Sequence, residues 1–179
     1  MSRGQIQRLH GLAGDRNARR VLANMDHLLG SWRCETGETI FYLNKYGRER
    51  VGAEKARQKI AQVGHYLMRN DFYIRIGAPE SWRNEVRYKV EGVLTIVADA
   101  VYQVNGRRHF LEVDHLQTMA QNEAKIEKYR LLRSLGVLQE RLKYFPRLVW
   151  VTLTEGRRKQ LAGWCEGLDV TIHLWDEIR

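Results

Sequence analysis

The residues whose types and spacing could do chemistry are three carboxylates in the run from Ala98 to Asp114, where ADAVYQV and RRHFLEVD flank Asn105-Gly106. An Asn-Gly pair readily supplies the positive φ angles of a two-residue hairpin turn, and the flanking runs are rich in apolar, β-branched and aromatic residues. With that turn, Val104 faces Arg107, Val101 faces Phe110 and Asp99 faces Glu112, while Asp114 lies two residues further along the same face. Like charges placed across a strand pair repel, so this end of the hairpin needs a compensating cation, a shared proton or a nearby lysine. Val101 and Phe110 give the same face a buried character, and partly buried acids need partners.

A second set of candidates is basic. From Ser2 to Leu9 the chain has a capping serine and a helical pattern, with Gly11 and Gly14 as punctuation. Asp15 then reads as the N-cap of a helix through RNARRVLANMDHLL, with Ala18, Val21, Leu22, Met25 and Leu29 as its apolar stripe and Gly30 as its stop. Opposite that stripe lie Arg16 and Arg20, flanked by Asn17, Arg19 and Asn24. Arginine can bond a guanine edge in two places and asparagine an adenine edge, so this face has the chemistry to read a major groove and to hold phosphates. The following SWRCETGETIFYLNKYGRERVG reads as a β-hairpin with Gly37 at its turn and Arg33 close by.

The elements that must position the acids come later in the chain. Residues 53 to 70 read as a helix, DFYIRIG as a strand or extended segment, and EVRYKV as a strand on which Lys89 could face the acids. A helix from about Met119 to Leu135 carries Ile126, Tyr129 and Leu132 as core candidates and Lys125 and Lys128 among its charges. RLVWVTL is a nearly continuous apolar run, expected to be a strand buried on both faces. A helix over Glu155–Cys165 and a strand DVTIHLW close the chain. The order predicts an α/β or α+β fold with a mixed sheet.

Composition narrows the function. The 179 residues hold 30 Lys plus Arg against 21 Asp plus Glu, a formal charge of +9 that favours a polyanionic partner such as nucleic acid. No apolar run reaches the length of a membrane span and no signal pattern opens the chain, so a cytoplasmic protein without membrane contact is expected. Cys34 and Cys165 have neither zinc-knuckle spacing nor the density of a disulfide scaffold, and read as reduced structural thiols. Among the histidines, His115 beside Asp114 is the one placed to assist the acids.

The short helix, tight turn, basic helix and hairpin of residues 1–52 resemble a winged helix-turn-helix domain, with QIQRL as positioning helix and DRNARRVLANM as recognition helix. Such domains usually begin with one more helix. Either this one is trimmed, or a second subunit or the downstream domain covers its flank, which makes a homodimer a natural expectation. Residues 53–179 resemble the PD-(D/E)xK nuclease superfamily, a restriction-endonuclease-like mixed sheet flanked by helices. The succession QIQRL, ARRVL, ADAVY, HFLEVD, KIEKY and FPRLVWVTLTEGRRKQL over essentially the whole chain resembles the replication-relaxation family of bacteria and plasmids.

The nuclease resemblance implies that Asp99 and Glu112 bind a divalent cation, with Mg²⁺ or Mn²⁺ the ions suited to oxygen ligands of this type. It also implies a lysine two residues after the second acid, where this chain has Asp114. Lys125, Lys128 or Lys89 would have to supply it from elsewhere, and Lys125 joins Asp99, Glu112 and Asp114 as the candidate site. Two functions follow. One is a protein that binds double-stranded DNA and acts in replication of a plasmid or mobile element or its control, with a degenerate nuclease-like domain. The alternative is a Mg²⁺- or Mn²⁺-dependent DNA endonuclease or nickase using Asp99 and Glu112.

Overall fold

The first helix, α1 (Arg3–Leu9), starts where its sequence says it should. The Ser2 hydroxyl accepts from Gln5 N–H while the Gln5 side chain accepts from Ser2 N–H, so two backbone donors without intrahelical partners are satisfied reciprocally. The structure, a computed structural model, describes residues 1–34, 37–54 and 62–179. These divide into two compact units, Met1–Ile74 and Arg75–Arg179.

In the N-terminal unit, α1 is followed by α2 (Asp15–Ala23), an antiparallel hairpin of β1 (Leu29–Arg33) and β2 (Thr39–Leu43), α3 (Lys45–Val51) and α4 (Val63–Arg75). Gly14, with φ 70°, is the N-cap of α2, and Asp15 is its first residue. The helix ends at Ala23, well short of the expected Leu29. Asn24 N–H closes on Arg20, and Leu28 and Leu29 N–H both close on the Met25 carbonyl, so the chain turns in time for Leu29 to pair with Leu43. Met25 is consequently exposed, and Gly30 lies in β1 rather than stopping a helix. Its missing side chain makes room for the Tyr42 ring, whose Cζ would lie 2.3 Å from a Cβ at that position.

Two further expectations change here. KYGRERV, read as the tail of the hairpin, is helix α3, capped by the Asn44 side chain on Gly47 N–H. DFYIRIG, read as a strand or extended segment, continues α4 as far as Arg75, because nothing breaks the helix before Gly77 and Pro79. Leu67, Met68, Asp71 and Phe72 are buried at the one-and-four spacing of a helix face. Much of the helix expected over residues 53–70 lies outside the described residues. The unit boundary falls after Ile74, further along than the expected division after residue 52, because α4 is bound to α1. Gln5 Nε2 donates to Leu67 O at 2.7 Å, and Arg8 pairs with buried Asp71 at 2.5 Å.

The C-terminal unit is a five-stranded mixed sheet in the order β3-β4-β5-β6-β7. β3 (Arg83–Val90), β4 (Leu94–Val104) and β5 (Arg107–Asp114) form an antiparallel meander. After α5 (Met119–Ser134) and α6 (Val137–Leu142), β6 (Arg147–Thr152) pairs parallel to β5, and after α7 (Glu155–Trp164), β7 (Val170–Leu174) pairs parallel to β6. Parallel neighbours need such helical crossovers. Phe110, Leu148 and Trp150 from the sheet, Ile126, Tyr129 and Leu132 from α5, Leu161 from α7 and Cys165 at its C-cap are among the core residues. Among the described residues, no helix is long and apolar enough to cross a membrane.

Candidate functional site

The hairpin forms as its turn predicts: Val104 pairs with Arg107 and Val101 with Phe110, the register running to Ala100 opposite Leu111. Asn105 and Gly106 take φ 50° and 74°. Just past the last pair the strands part, and an Asp99 carboxylate oxygen accepts from Val113 N–H at 2.8 Å, where a backbone carbonyl would otherwise serve. The irregularity extends to β3, where Glu85, opposite Asp99, has φ 55°. On the far side of it the core residues of β4 change from the even positions Ile96 and Ala98 to the odd position Val101. This turn-over brings Asp99 to the same face as Glu112.

Glu112 is 1% exposed, and α5 supplies its partners. The Lys125 ammonium pairs with one carboxylate oxygen and the Tyr129 hydroxyl donates to the other. Lys125 also stands 4.0 Å from Asp99. Positions 125 and 129 are one helical turn apart, so both side chains point from α5 onto the same patch of sheet. Burial, and then the Asp99 charge, push the Glu112 carboxyl well above its usual range; Lys125 and Tyr129 offset part of this. Burial disfavours the Lys125 charge, but the two acids outweigh it and hold the ammonium above its usual pKa.

Asp114 shares the face but not these partners. It is fully buried, accepting from Asn122 at 2.8 Å, from Thr152 Oγ1 at 2.6 Å and from Arg157 Nε at 2.7 Å, with a second Arg157 nitrogen on its other oxygen. Burial raises its pKa, but the bonds from Arg157, Thr152 and Asn122 prevail and leave it below the usual value. Arg157 also donates to Gln117 O at 2.7 Å. The bidentate pair thus joins the end of β5 to the starts of α5 and α7, and Asp114 acts as a clamp rather than as a member of the Lys125 cluster.

Of the candidates, Asp99, Glu112 and Lys125 are brought together and Asp114 is held apart from the lysine. Lys89 pairs with Glu91 at 2.7 Å at the other end of β4, and Lys128 is exposed. Arg157 and Tyr129 were not singled out from the sequence as site residues. Arg157 carried a signal, since an arginine in the first turn of a helix opposes the helix dipole unless an acid holds it. Tyr129 carried the Lys125 spacing.

Asp99 and Glu112 are the oxygens a divalent ion would use. Both Glu112 oxygens have partners, the Lys125 ammonium on one and the Tyr129 hydroxyl on the other, and the same ammonium stands 4.0 Å from Asp99. Among the described residues no group of three His, Cys, Asp or Glu could hold a metal. The donor set in this arrangement does not fit Mg²⁺ or Mn²⁺.

In the N-terminal unit, α2 buries Ala18 and Leu22 and exposes Arg16, Arg19, Arg20 and, at its C-cap, Asn24. Arg20 donates to Asn17 at 2.9 Å, while Arg19 pairs with Asp15 at 2.9 Å. Asp15 also meets Arg3 at 2.8 Å. Arg33 is exposed at the end of β1, close in sequence to Gly37, which has φ 82°.

Among curated proteins, none matches this chain. A solved structure, protein VC1899 from Vibrio cholerae, is similar at 16% identity with a TM-score of 0.39, over 92% of this chain and 40% of that one. The chain therefore spans less than half of that protein's length. The replication-relaxation family matches residues 1–148. With most of its length inside that match, the chain belongs to the replication-relaxation family.

Proposed function

We propose that this protein binds double-stranded DNA through α2 and acts in replication of a plasmid or mobile element, or in its control. The observation that carries the reading is the exposed face of α2, where Arg16 and Arg20, flanked by exposed Arg19 and Asn24, lie opposite buried Ala18 and Leu22. Two helices followed by a hairpin, in this order, suit a winged helix-turn-helix that lays α2 in a major groove with Arg33 on the flanking phosphates. Family membership links the chain to replication. The C-terminal unit is read as a nuclease-like frame whose acid pair is neutralised internally by Lys125 and no longer cuts.

Fluorescence anisotropy on duplex DNA tests the first part: Arg16→Ala with Arg20→Ala should weaken binding and lower its salt slope by about 0.9 for each phosphate that is no longer neutralised. Unchanged binding would remove α2 as the reader. The convergence of Asp99, Glu112 and Lys125 favours a second reading, a metal-dependent endonuclease or nickase. Supercoiled plasmid incubated with the protein and Mg²⁺ or Mn²⁺ separates the two. It should stay supercoiled; cutting that disappears with Asp99→Ala or Glu112→Ala would establish the nuclease instead.

A further inference from the structure

The tip of the β4–β5 hairpin meets the loop between α6 and β6 at one corner of the C-terminal unit, at the end of β5 away from the acids. There the Tyr144 hydroxyl accepts from Arg108 N–H at 2.8 Å. β5 takes up its pairing with β6 only at His109 opposite Arg147, so Tyr144 supplies the acceptor that β6 does not yet provide. The Arg107 guanidinium lies over the Tyr144 ring, 4.8 Å from its centroid. Arg108 bonds the Tyr88 hydroxyl, and Arg141, in the last turn of α6, stands near the same hydroxyl. Both draw its pKa down, although burial prevails and keeps the phenol above its usual value. Lys143, the C-cap of α6, is exposed beside them.

Arg107, Arg108, Arg141 and Lys143 thus gather around two tyrosines, and among the described residues none of the four pairs with a carboxylate. The exposed Glu140 gives Lys143 its backbone carbonyl, at 3.0 Å, rather than its side chain. Asp169 is held by Arg147 at 2.9 Å. Other arginines of this unit do meet acids: Arg130 meets Glu127, Arg157 meets Asp114, and Arg158 meets Glu155 and Glu177. Like charges gathered at one corner repel, and an anion from outside relieves that repulsion. The donors for such an anion are in place. A guanidinium that lays its face on a ring, as Arg107 does on Tyr144, keeps its N–H groups in plane and available at its edge. The Tyr144 hydroxyl, already accepting from Arg108, keeps its own proton to donate.

Guanidinium edges, an ammonium and a phenol O–H are donors only, and phosphate oxygens are the acceptors that match them. Cations spread from a hairpin tip across a neighbouring loop suit a row of phosphates better than a single ion. Duplex DNA, the polyanion proposed for α2, offers such a row at about one charge per 1.7 Å of its axis. We propose that the corner formed by Arg107, Arg108, Arg141, Lys143 and Tyr144 grips the phosphate backbone of duplex DNA. The contact carries no sequence information; it adds affinity and fixes orientation while base edges are read elsewhere. This goes beyond reading by α2, giving the C-terminal unit a DNA contact of its own that needs neither the acid pair nor a metal.

The test is fluorescence anisotropy of a labelled duplex titrated with the full chain over a range of salt concentrations. Arg107→Gln with Arg141→Gln should weaken binding about ten-fold at about 0.1 M salt and lower the salt slope by about 0.9 for each phosphate no longer neutralised. Arg107→Lys with Arg141→Lys keeps both charges and should keep the wild-type slope, which separates lost phosphate contacts from damage to the fold. Lys128→Gln with Lys159→Gln removes the same charge from exposed positions on α5 and α7 and should leave the slope near that of the wild type. A wild-type slope in the Arg107→Gln, Arg141→Gln variant, an equal fall in the Lys128→Gln, Lys159→Gln control, or a fall as large in the lysine variant would overturn the proposal. Weakened binding in the corner variant with none in Arg16→Ala, Arg20→Ala would remove α2 as the reader and leave the corner standing, whereas the reverse result would remove the corner alone.

Discussion

Asp114 and Glu112 are neighbours but one, share a face and are both buried, yet they respond to pH in opposite senses. The folded-state pKa of Asp114 is lowered, so its ionised form contributes stability that is present above the unfolded value near 3.8 and is lost as pH falls through the folded value. Asp114→Asn should therefore be less stable than wild type at pH 7, and urea denaturation should show that gap closing as pH falls below about 3.8. A gap independent of pH would mean that Asp114 is not held as a carboxylate. The folded-state pKa of Glu112 is raised, so its contribution is fully present below the unfolded value and is lost as pH rises through the folded one. Lys125→Met removes the cation that offsets this loss. The variant should be destabilised by about 3–5 kcal/mol at alkaline pH, the cost of leaving a buried ionised partner alone, and by progressively less as Glu112 takes up its proton. Equal destabilisation at pH 5 and pH 9 would sink this account.

The elements that sequence alone located are those whose signals are local. Ser2 and Thr118 begin α1 and α5 through capping boxes, and Asn105-Gly106 closes the β4–β5 hairpin. Elements whose limits depend on distant partners were misplaced. The apolar stripe of α2 continues in sequence past Ala23, but the strand pairing of Leu29 with Leu43 takes precedence over a longer helix. The aromatic and β-branched residues of DFYIRIG have strand propensity, yet they extend a helix already bonded to α1, an instance of tertiary context overriding propensity. Helix α3 illustrates a close approach that only a glycine permits. A Cβ on Gly47 would lie 2.2 Å from the Leu28 carbonyl oxygen, a backbone atom that cannot swing aside. Gly47→Ala should lower the thermal stability of the protein by about 1–3 kcal/mol through overpacking, whereas Gly163→Ala, with nothing within 4 Å of its Cβ, should not lower it. Calorimetry of both variants checks the contrast.

At the scale of the whole chain, the formal charge of +9 acts on any nucleic acid before a particular side chain does. Removing Arg16 and Arg20 should leave residual DNA binding at low salt that disappears by about 0.2 M salt, while the wild type retains its cognate duplex there. Loss of all binding at low salt in that variant would show that the remaining charge does not engage DNA. The sequence by itself determined the basic character, the Asn105-Gly106 turn and the hairpin register as far as Ala100 opposite Leu111, because charge and turn type are properties of the local chain. Which cation meets which acid was decided only by tertiary structure. Asp99, Glu112 and Lys125 meet because α5 returns across the sheet, and Asp114 is withdrawn into a clamp because α7 brings Arg157 to it. Crossovers set both contacts, and a crossover places side chains from distant positions in ways that no local periodicity encodes.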